Sequence, residues 1–243
     1  MKIQSIVIVG GGTSGWLTAS YLSAQMPQLK ITLIDKVVPS TVGVGEGTLL
    51  NLGAFLDECK FPQQEWMINT DATYKSSILF ANWQETGKDI WHPFYKRPTI
   101  IDEQTGIRLQ DLWTQNQDLP FATYASAFYE LSLENKVSMR DLESYAFHID
   151  CGKLVHYAHT KLKNKITFIQ SDVLKVNMDD NIISSLDLEN GMCIKGDIFV
   201  DCTGWKNILG TPKKRVEFDQ LFCNAAIAGH IPYNDREKEL HPY

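Results

Sequence analysis

Three glycines and one carboxylate near the start of the chain have the types and spacing for nucleotide chemistry. Gly10-Gly11-Gly12-Thr13-Ser14-Gly15 fits a Gly-x-Gly-x-x-Gly turn, and Asp35 lies 20 positions past Gly15. Such a turn needs Gly10 for a sharp exit from a strand. Gly12 lets a diphosphate reach the backbone, and Gly15 lets a helix pack close to a sheet. The start of the helix that follows leaves free N–H groups and a partial positive charge, which suit the diphosphate. Asp35 stands where a ribose hydroxyl needs an acceptor. A second glycine-rich stretch, Val42-Gly43-Val44-Gly45-Glu46-Gly47-Thr48, implies backbone close to a neighbour or positive φ angles. Glu46 there is placed either to orient a cofactor or to cap the following helix.

The elements that must position these residues are legible around them. Ser5-Ile6-Val7-Ile8-Val9 reads as a buried strand, residues 16–26 as a helix and Ile31-Thr32-Leu33-Ile34-Asp35 as a second strand. Residues 49–68 carry a helical stripe of Leu49, Leu50, Leu52, Phe55 and Leu56, broken at Pro62. Residues 71–130 are dense in aromatics, among them Tyr74, Phe80, Trp83, Trp91, Phe94, Tyr95, Trp113 and Tyr129, a composition that suits a core or a flat apolar pocket. Residues 141–162 read as helical. Strand-like runs follow at 166–170, 173–176, 182–188 and 198–201, and a further strand pair is read over 216–231. The run 198–201 opens into Cys202-Thr203-Gly204, so it is expected to return beside the first strand. The fold class is therefore α/β: a Rossmann-like nucleotide domain with an inserted aromatic-rich segment.

Composition narrows the partners. With 44% hydrophobic and 21% charged residues the chain has a globular profile. A net charge of -6 and no dense basic block argue against nucleic acid. Lys213-Lys214-Arg215 reads as a solvated loop. The five cysteines are scattered without a Cys-x-x-Cys pair, which suits free thiols in a reducing compartment. His156 and His159 are three apart but no third ligand is suggested, so no metal site is expected. There is no apolar run of 18 residues and no signal-peptide pattern, so a cytoplasmic protein without a membrane partner is the expectation.

Four stretches together resemble the flavin-dependent halogenases of the tryptophan halogenase type, and specifically their N-terminal half. These are Gly10-Gly11-Gly12-Thr13-Ser14-Gly15-Trp16, where the family commonly has Ala at the place of Ser14; Gly43-Val44-Gly45-Glu46-Gly47-Thr48, close to Gly-Val-Gly-Glu-Ala-Thr; Thr73-Tyr74-Lys75-Ser76-Ser77-Ile78-Leu79-Phe80-Ala81-Asn82-Trp83; and Asp197-Ile198-Phe199-Val200-Asp201-Cys202-Thr203-Gly204. The resemblance implies an FAD-binding domain of the glutathione-reductase/hydroxylase type, with FAD supplied in reduced form by a flavin reductase. It implies chloride or bromide as co-substrate and an electron-rich aromatic, such as tryptophan or another indole, as acceptor. Hypohalous acid generated at the flavin would be relayed by Lys75. Apolar company lowers a lysine pKa and leaves a reactive amine, which accords with that role.

Other roles follow from the same resemblance. Trp91-His92-Pro93-Phe94 is similar to the stretch that clamps the indole, so His92 and Phe94 are substrate candidates. Gly10, Gly12, Thr13, Ser14, Gly15, Asp35, Gly45, Glu46, Val173, Asp201 and Gly204 are cofactor candidates, with Asp201 and Gly204 facing the flavin opposite Gly12 and Val173 near adenine. Phe147-His148-Ile149-Asp150 is read as structural, with Asp150 capping the helix after it. The expected FAD-binding part is 1–50 with 141–215; an incomplete substrate-binding part comprises 51–140 and 216–243. The family's Trp-x-Trp-x-Ile-Pro motif, and a glutamate that works with the lysine, have no counterpart in this sequence. The chain is thus read as C-terminally truncated, expected to hold FAD weakly and to be inactive without a missing C-terminal half. A flavin monooxygenase and a non-catalytic FAD-binding module are the alternatives; the Lys75 stretch argues against the first.

Overall fold

The computed structural model describes residues 2–36, 45–94, 100–126, 128–134, 136, 144–210, 218, 220–223, 225 and 227. Positions 42–44 of the second glycine loop, Tyr95, the basic cluster at 213–215 and nine of the sixteen residues of the strand pair read over 216–231 lie outside them, and the seven described residues of that pair are in no strand. The chain divides into two compact units. The first comprises Met1–Glu46, Ala54–Ala72 and Ile149–His230, and the second Gly47–Gly53, Thr73–His148 and Ile231–Tyr243.

The first unit is built on β1 (Ser5–Val9), followed by α1 (Thr13–Gln25) and β2 (Lys30–Asp35). A short strand β3 (Gly45–Gly47) ends at the boundary between the units. Helices α2 (Leu52–Glu58) and α3 (Gln63–Asn69) are separated at Pro62, which stands at the N-cap of α3. Proline cannot donate the N–H that a continuing helix requires, so the apolar stripe breaks there.

The second unit opens with β4 (Thr73–Lys75), then a hairpin of β5 (Ser77–Glu85) and β6 (Lys88–Pro93). A smaller hairpin, β7 (Ile100–Asp102) and β8 (Ile107–Arg108), leads into α4 (Leu109–Gln115), α5 (Phe121–Ala125) and α6 (Tyr129–Leu133). The chain then forms β9 (Ala146–Asp150) and α7 (Cys151–Leu162). The first unit is completed by β10 (Thr167–Gln170), β11 (Val173–Asp179), β12 (Ile182–Leu188), β13 (Cys193–Ile194) and β14 (Ile198–Asp201).

Four parallel strands run in the order β10-β2-β1-β14. Ile6, Val7, Ile8 and Val9 are all buried, as a central parallel strand covered on both faces requires. Alternation sends Val7 and Val9 to one face, where they join Ile34 and Ile169 against Leu186 and Leu188 of β12. The antiparallel sheet β11-β12-β13 therefore covers that face. Helices α1 and α7 pack together, with the Trp16 ring 5.1 Å from that of His159 and 5.7 Å from that of Phe168. In α7 the buried Cys151, Leu154, Val155, Ala158 and Leu162 recur at helical spacing.

The expected helical run over 141–162 is corrected in its first part. Residues 146–150 are the strand β9, paired antiparallel with β4, and the helix starts only at Cys151. The five residues Ala-Phe-His-Ile-Asp have their backbone groups taken up by neighbouring chain, and short apolar runs do not distinguish strand from helix. Asp150 caps α7 as expected, its Oδ1 accepting from the Lys153 N–H at 2.9 Å. The run read over 198–201 is β14, which lies beside β1 with Val9 opposite Asp201.

The entry of β1 is held by one side chain. Asp197 Oδ2 accepts from Gln4 N–H at 2.8 Å, Ser5 N–H at 2.9 Å and the Ser5 hydroxyl at 3.0 Å. These bonds favour the ionised form and hold its pKa below the ordinary carboxylate value. A depressed folded-state pKa gives stability that is present above about pH 4, the unfolded value, and lost as pH falls through the folded one. In thermal melts across pH 2–6, Asp197→Asn is expected to remove part of the acid-side loss seen in the parent. Identical acid limbs for the two proteins would sink this assignment.

Candidate functional site

In the first unit the chain leaves β1 at Gly10 with φ +104°, a conformation open to glycine. A Cβ at Gly10 would stand 2.4 Å from the Cys202 carbonyl oxygen, and one at Gly15 would stand 1.8 Å from that of Gly10. Gly15 thus has the packing role its spacing predicts. Gly12 is the N-cap of α1, with no side-chain cap and no acidic residue in the first turn. Among the described residues nothing caps the N–H groups of that turn, which suits an anion there.

Gly10 and Gly12 line a cleft of about 700 Å³ together with Thr13, Asp35, Glu46, Val173 and Gly204. The Asp35 carboxylate folds back on the turn: Oδ2 accepts from Gly11 N–H at 2.9 Å and Oδ1 from Lys36 N–H at 2.8 Å. Gly11 matters here, because a Cβ would sit 2.7 Å from Asp35 Oδ2. Lys36 and Asp172 form an exposed ion pair at 3.7 Å.

Four candidates behave differently from the cleft-lining set. Gly15 is buried under the turn. The Ser14 hydroxyl, outside the cleft lining, donates to Cys202 Sγ at 3.5 Å. Gly45 has room for a side chain, its nearest neighbour being Ile149 O at 3.8 Å. Asp201 turns its carboxylate into its own loop. Oδ1 accepts from Thr203 N–H at 2.9 Å and from the Thr203 hydroxyl at 2.5 Å, and Oδ2 accepts from Leu209 N–H at 2.7 Å.

The cleft also has lining residues that sequence reasoning missed: Gly11, Cys151, Ser171, Asp172, Thr203, Trp205 and Lys206. Burial, with Glu46 and Asp150 nearby, pushes the Cys151 thiol up in pKa, so it stays protonated. Trp205 is 90% exposed at this cleft. Only its position directly after Thr203-Gly204 could have flagged it.

In the second unit, Lys75 is 8% exposed. It closes β4, where Thr73 pairs with His148, Tyr74 with Phe147 and Lys75 with Ala146. Direct partners share a face, so Lys75, Ala146 and His148 lie on one side of this ribbon. Tyr74 and Phe147 take the other, in ring contact with Tyr145. Phe94 follows β6, and its N–H donates to the Ser76 carbonyl at 3.0 Å. That bond extends the β5–β6 ladder to the residue after Lys75 and sets the Phe94 ring 5.5 Å from Lys75 Nζ. The His92 and Phe94 rings are 6.2 Å apart, edge to face. Three sequence candidates, Lys75, His92 and Phe94, therefore meet.

Among the described residues Lys75 has no ion-pair partner. Burial lowers its pKa from the ordinary lysine value. An amine in that setting is a hydrogen-bond donor and, when neutral, a nucleophile facing an aromatic ring. Among the described residues no cluster of three or more His, Cys, Asp or Glu could hold a metal ion. No helix among them is long and apolar enough to cross a membrane.

The chain is similar to known halogenases. The family profile described as tryptophan halogenase matches residues 5–243. Tryptophan 7-halogenase RebH of Lentzea aerocolonigenes is 30% identical over 270 residues, covering 100% of this chain and 51% of that protein. Tryptophan 6-halogenase ThaL of Streptomyces albogriseolus is 28% identical, with 100% and 51% covered. Among solved structures, the tryptophan 6-halogenase SttH of Streptomyces toxytricini superposes with a TM-score of 0.75 at 33% identity, covering 85% of this chain and 43% of that one. BrvH, a flavin-dependent halogenase from Brevundimonas sp. BAL3, gives a TM-score of 0.76 at 28% identity, covering 86% and 44%. The chain spans about half the length of the curated relatives it matches. With the profile matched over nearly all of its residues, and with the glycine turn and the buried lysine in place, the chain belongs to the tryptophan halogenase family.

Proposed function

We propose that this chain serves the halogenation of an electron-rich aromatic, tryptophan or another indole, with Lys75 as the residue that delivers the halogen. One observation carries the reading: a buried amine without an ion-pair partner among the described residues lies against the Phe94 ring, with His92 beside it. A lysine placed for solubility keeps its ammonium in water, and this one does not.

Reduced FAD is the cofactor that fits the first unit, and when bound it supplies, with oxygen and chloride or bromide, hypohalous acid. The free N–H groups of the first turn of α1, with Gly10, Gly12 and Thr13, would hold the diphosphate. Asp35 would take a ribose hydroxyl and Val173 would lie against adenine, with Glu46 and Gly204 on the flavin side. On this reading FAD binding is assigned to 1–50 with 141–215 and substrate binding to 51–140 with 216–243, a division that differs from the compact units in placing Ala54–Ala72 on the substrate side. Lys75 Nζ either hydrogen-bonds hypohalous acid or forms an N–halogen bond with loss of water. Transfer to the ring forms the carbon–halogen bond, and the ring carbon gives up its proton. His92 and Phe94 hold the ring. A flavin reductase supplies the cofactor in reduced form, in the cytoplasm.

The test incubates the chain with a flavin reductase, NADH, FAD, bromide or chloride and tryptophan or indole. It is run alone and with the part of SttH that this chain does not span. A halogenated product by mass spectrometry is the expected result in the paired arrangement, and none from the chain alone. A hydroxylated product would favour the monooxygenase reading, and bound FAD without any product in either arrangement would favour a binding module.

A further inference from the structure

Lysine has four side-chain torsions, so burial alone does not fix where its amine lies. Here the strands do. Gly47 belongs to the second unit, as do Lys75 and His148. It lies just before Thr48, whose N–H donates to the Phe147 carbonyl at 2.7 Å and whose hydroxyl accepts from Phe147 N–H at 3.0 Å. Gly47 thus runs along one edge of β9, while Lys75 lies on β4 at the other.

Between them, opposite Lys75, is Ala146, fully buried and too small to block a side chain crossing the ribbon. The lysine crosses it. A Cβ built on Gly47 would stand 2.8 Å from Lys75 Nζ, 3.5 Å from Lys75 Cε and 3.5 Å from His148 Cδ2. The amine, the imidazole edge and the bare glycine backbone therefore share one contact point. The Phe94 ring lies within 5.5 Å of the same nitrogen.

We propose that Gly47 and His148 are positioning residues that seat the Lys75 amine: the missing methyl at 47 gives the nitrogen its place, and the imidazole confines it there. This deepens the halogenase reading and rests on it for its functional meaning. Position 47 is also where the second glycine stretch departs from the Gly-Val-Gly-Glu-Ala-Thr pattern given above. An alanine methyl at this backbone would push on the far end of a flexible side chain, so the amine would move before the sheet did. The change at 47 and the place of the nitrogen are thereby linked.

The electrostatics agree in direction. Burial, and then the Lys75 charge, lower the pKa of His148. Burial lowers that of Lys75. Both shifts disfavour the charged forms, as expected of two basic groups packed together out of water.

Two measurements on the full chain test the seat. In Lys75→Met the imidazole titration of His148, followed by NMR and assigned with His148→Gln, should move to higher pH while staying below the ordinary histidine value. A midpoint that does not move would overturn the contact. In Gly47→Ala, carbamylation of Lys75 by cyanate, read by peptide mass spectrometry against the other lysines, should change at least about fivefold. An unchanged rate in a folded variant would overturn the role of Gly47. If Gly47→Ala does not fold, the His148 titration still decides. Neither readout needs halogenation, so a failed halogenase assay leaves the seat standing, and a failed seat leaves the Lys75 assay standing.

Discussion

On the proposed reading, Lys75→Met in the chain paired with the part of SttH it does not span is expected to abolish transfer of halogen to the aromatic substrate and to leave FAD retention unchanged. A positioned acid–base group contributes typically about 10²- to 10⁴-fold to a rate, and a drop of at least that size is expected. The substitution separates chemistry from folding unusually well. Methionine is unbranched and flexible like lysine, one atom shorter, and lacks its charge. Burying a charge without a partner opposes folding, so exchanging it for an apolar chain of similar shape is neutral or stabilising. The variant should melt no lower than the parent while halogenated product disappears. The measurement pairs product analysis by mass spectrometry with a thermal melt and a flavin titration. Product within about tenfold of the parent would remove Lys75 from the chemistry, because such a residue is worth less than a typical positioned group. Loss of FAD together with product would mean the lysine acts on folding or flavin binding instead.

Gly15→Ala should have the largest effect on the first unit. Two terms oppose each other. Alanine is the better helix former by about 1 kcal/mol. Against that, its methyl carbon would lie 1.8 Å from the Gly10 carbonyl oxygen, a backbone atom that cannot swing aside. Overpacking of this kind costs about 1–3 kcal/mol and sometimes more, so the clash wins. Relief requires α1 to lift from the turn that ends β1, and the first-turn N–H groups then leave the cleft. The expected result is a lower melting temperature and an FAD affinity weaker by at least about tenfold, which corresponds to 1.4 kcal/mol. A Gly15→Ala protein with unchanged melting and flavin binding would show that α1 does not need this close approach.

The parts of the molecule that were legible in the sequence are those fixed by short-range spacing. Gly10, Gly12, Gly15 and Asp35 stand in one β-α-β unit, so their distances along the chain already imply their distances in space. The run over 198–201 announced itself as a hydrophobic strand, and it lies beside β1. Strand β9 was hidden because Ala146–Asp150 passes into α7 with no turn residue to mark the change.

The surroundings of Lys75 were less legible. Gly47, Lys75 and His148 come from three separate strand segments, and no local pattern brings them to one point. Phe94 was found through family resemblance, while the bond that holds it, from its own N–H to Ser76, is invisible in side-chain chemistry. Asp201 has surroundings that its sequence position does not reveal. An acidic residue at a strand end looks available to a ligand, but Thr203 and Leu209 occupy its oxygens. Ser14 lies inside the glycine motif, yet its hydroxyl meets Cys202 and it is outside the cleft lining.

The fold-back of Asp35 onto Gly11 bears on how quickly the cleft can be filled. A carboxylate has about four lone-pair positions, and the two backbone donors here engage two of them. In the proposed reading, an incoming sugar hydroxyl finds vacant acceptor sites on an anchor that is already fixed. Capture then needs no rupture of an existing bond and little ordering of the turn, so diffusion and orientation, rather than an opening step, set the association rate.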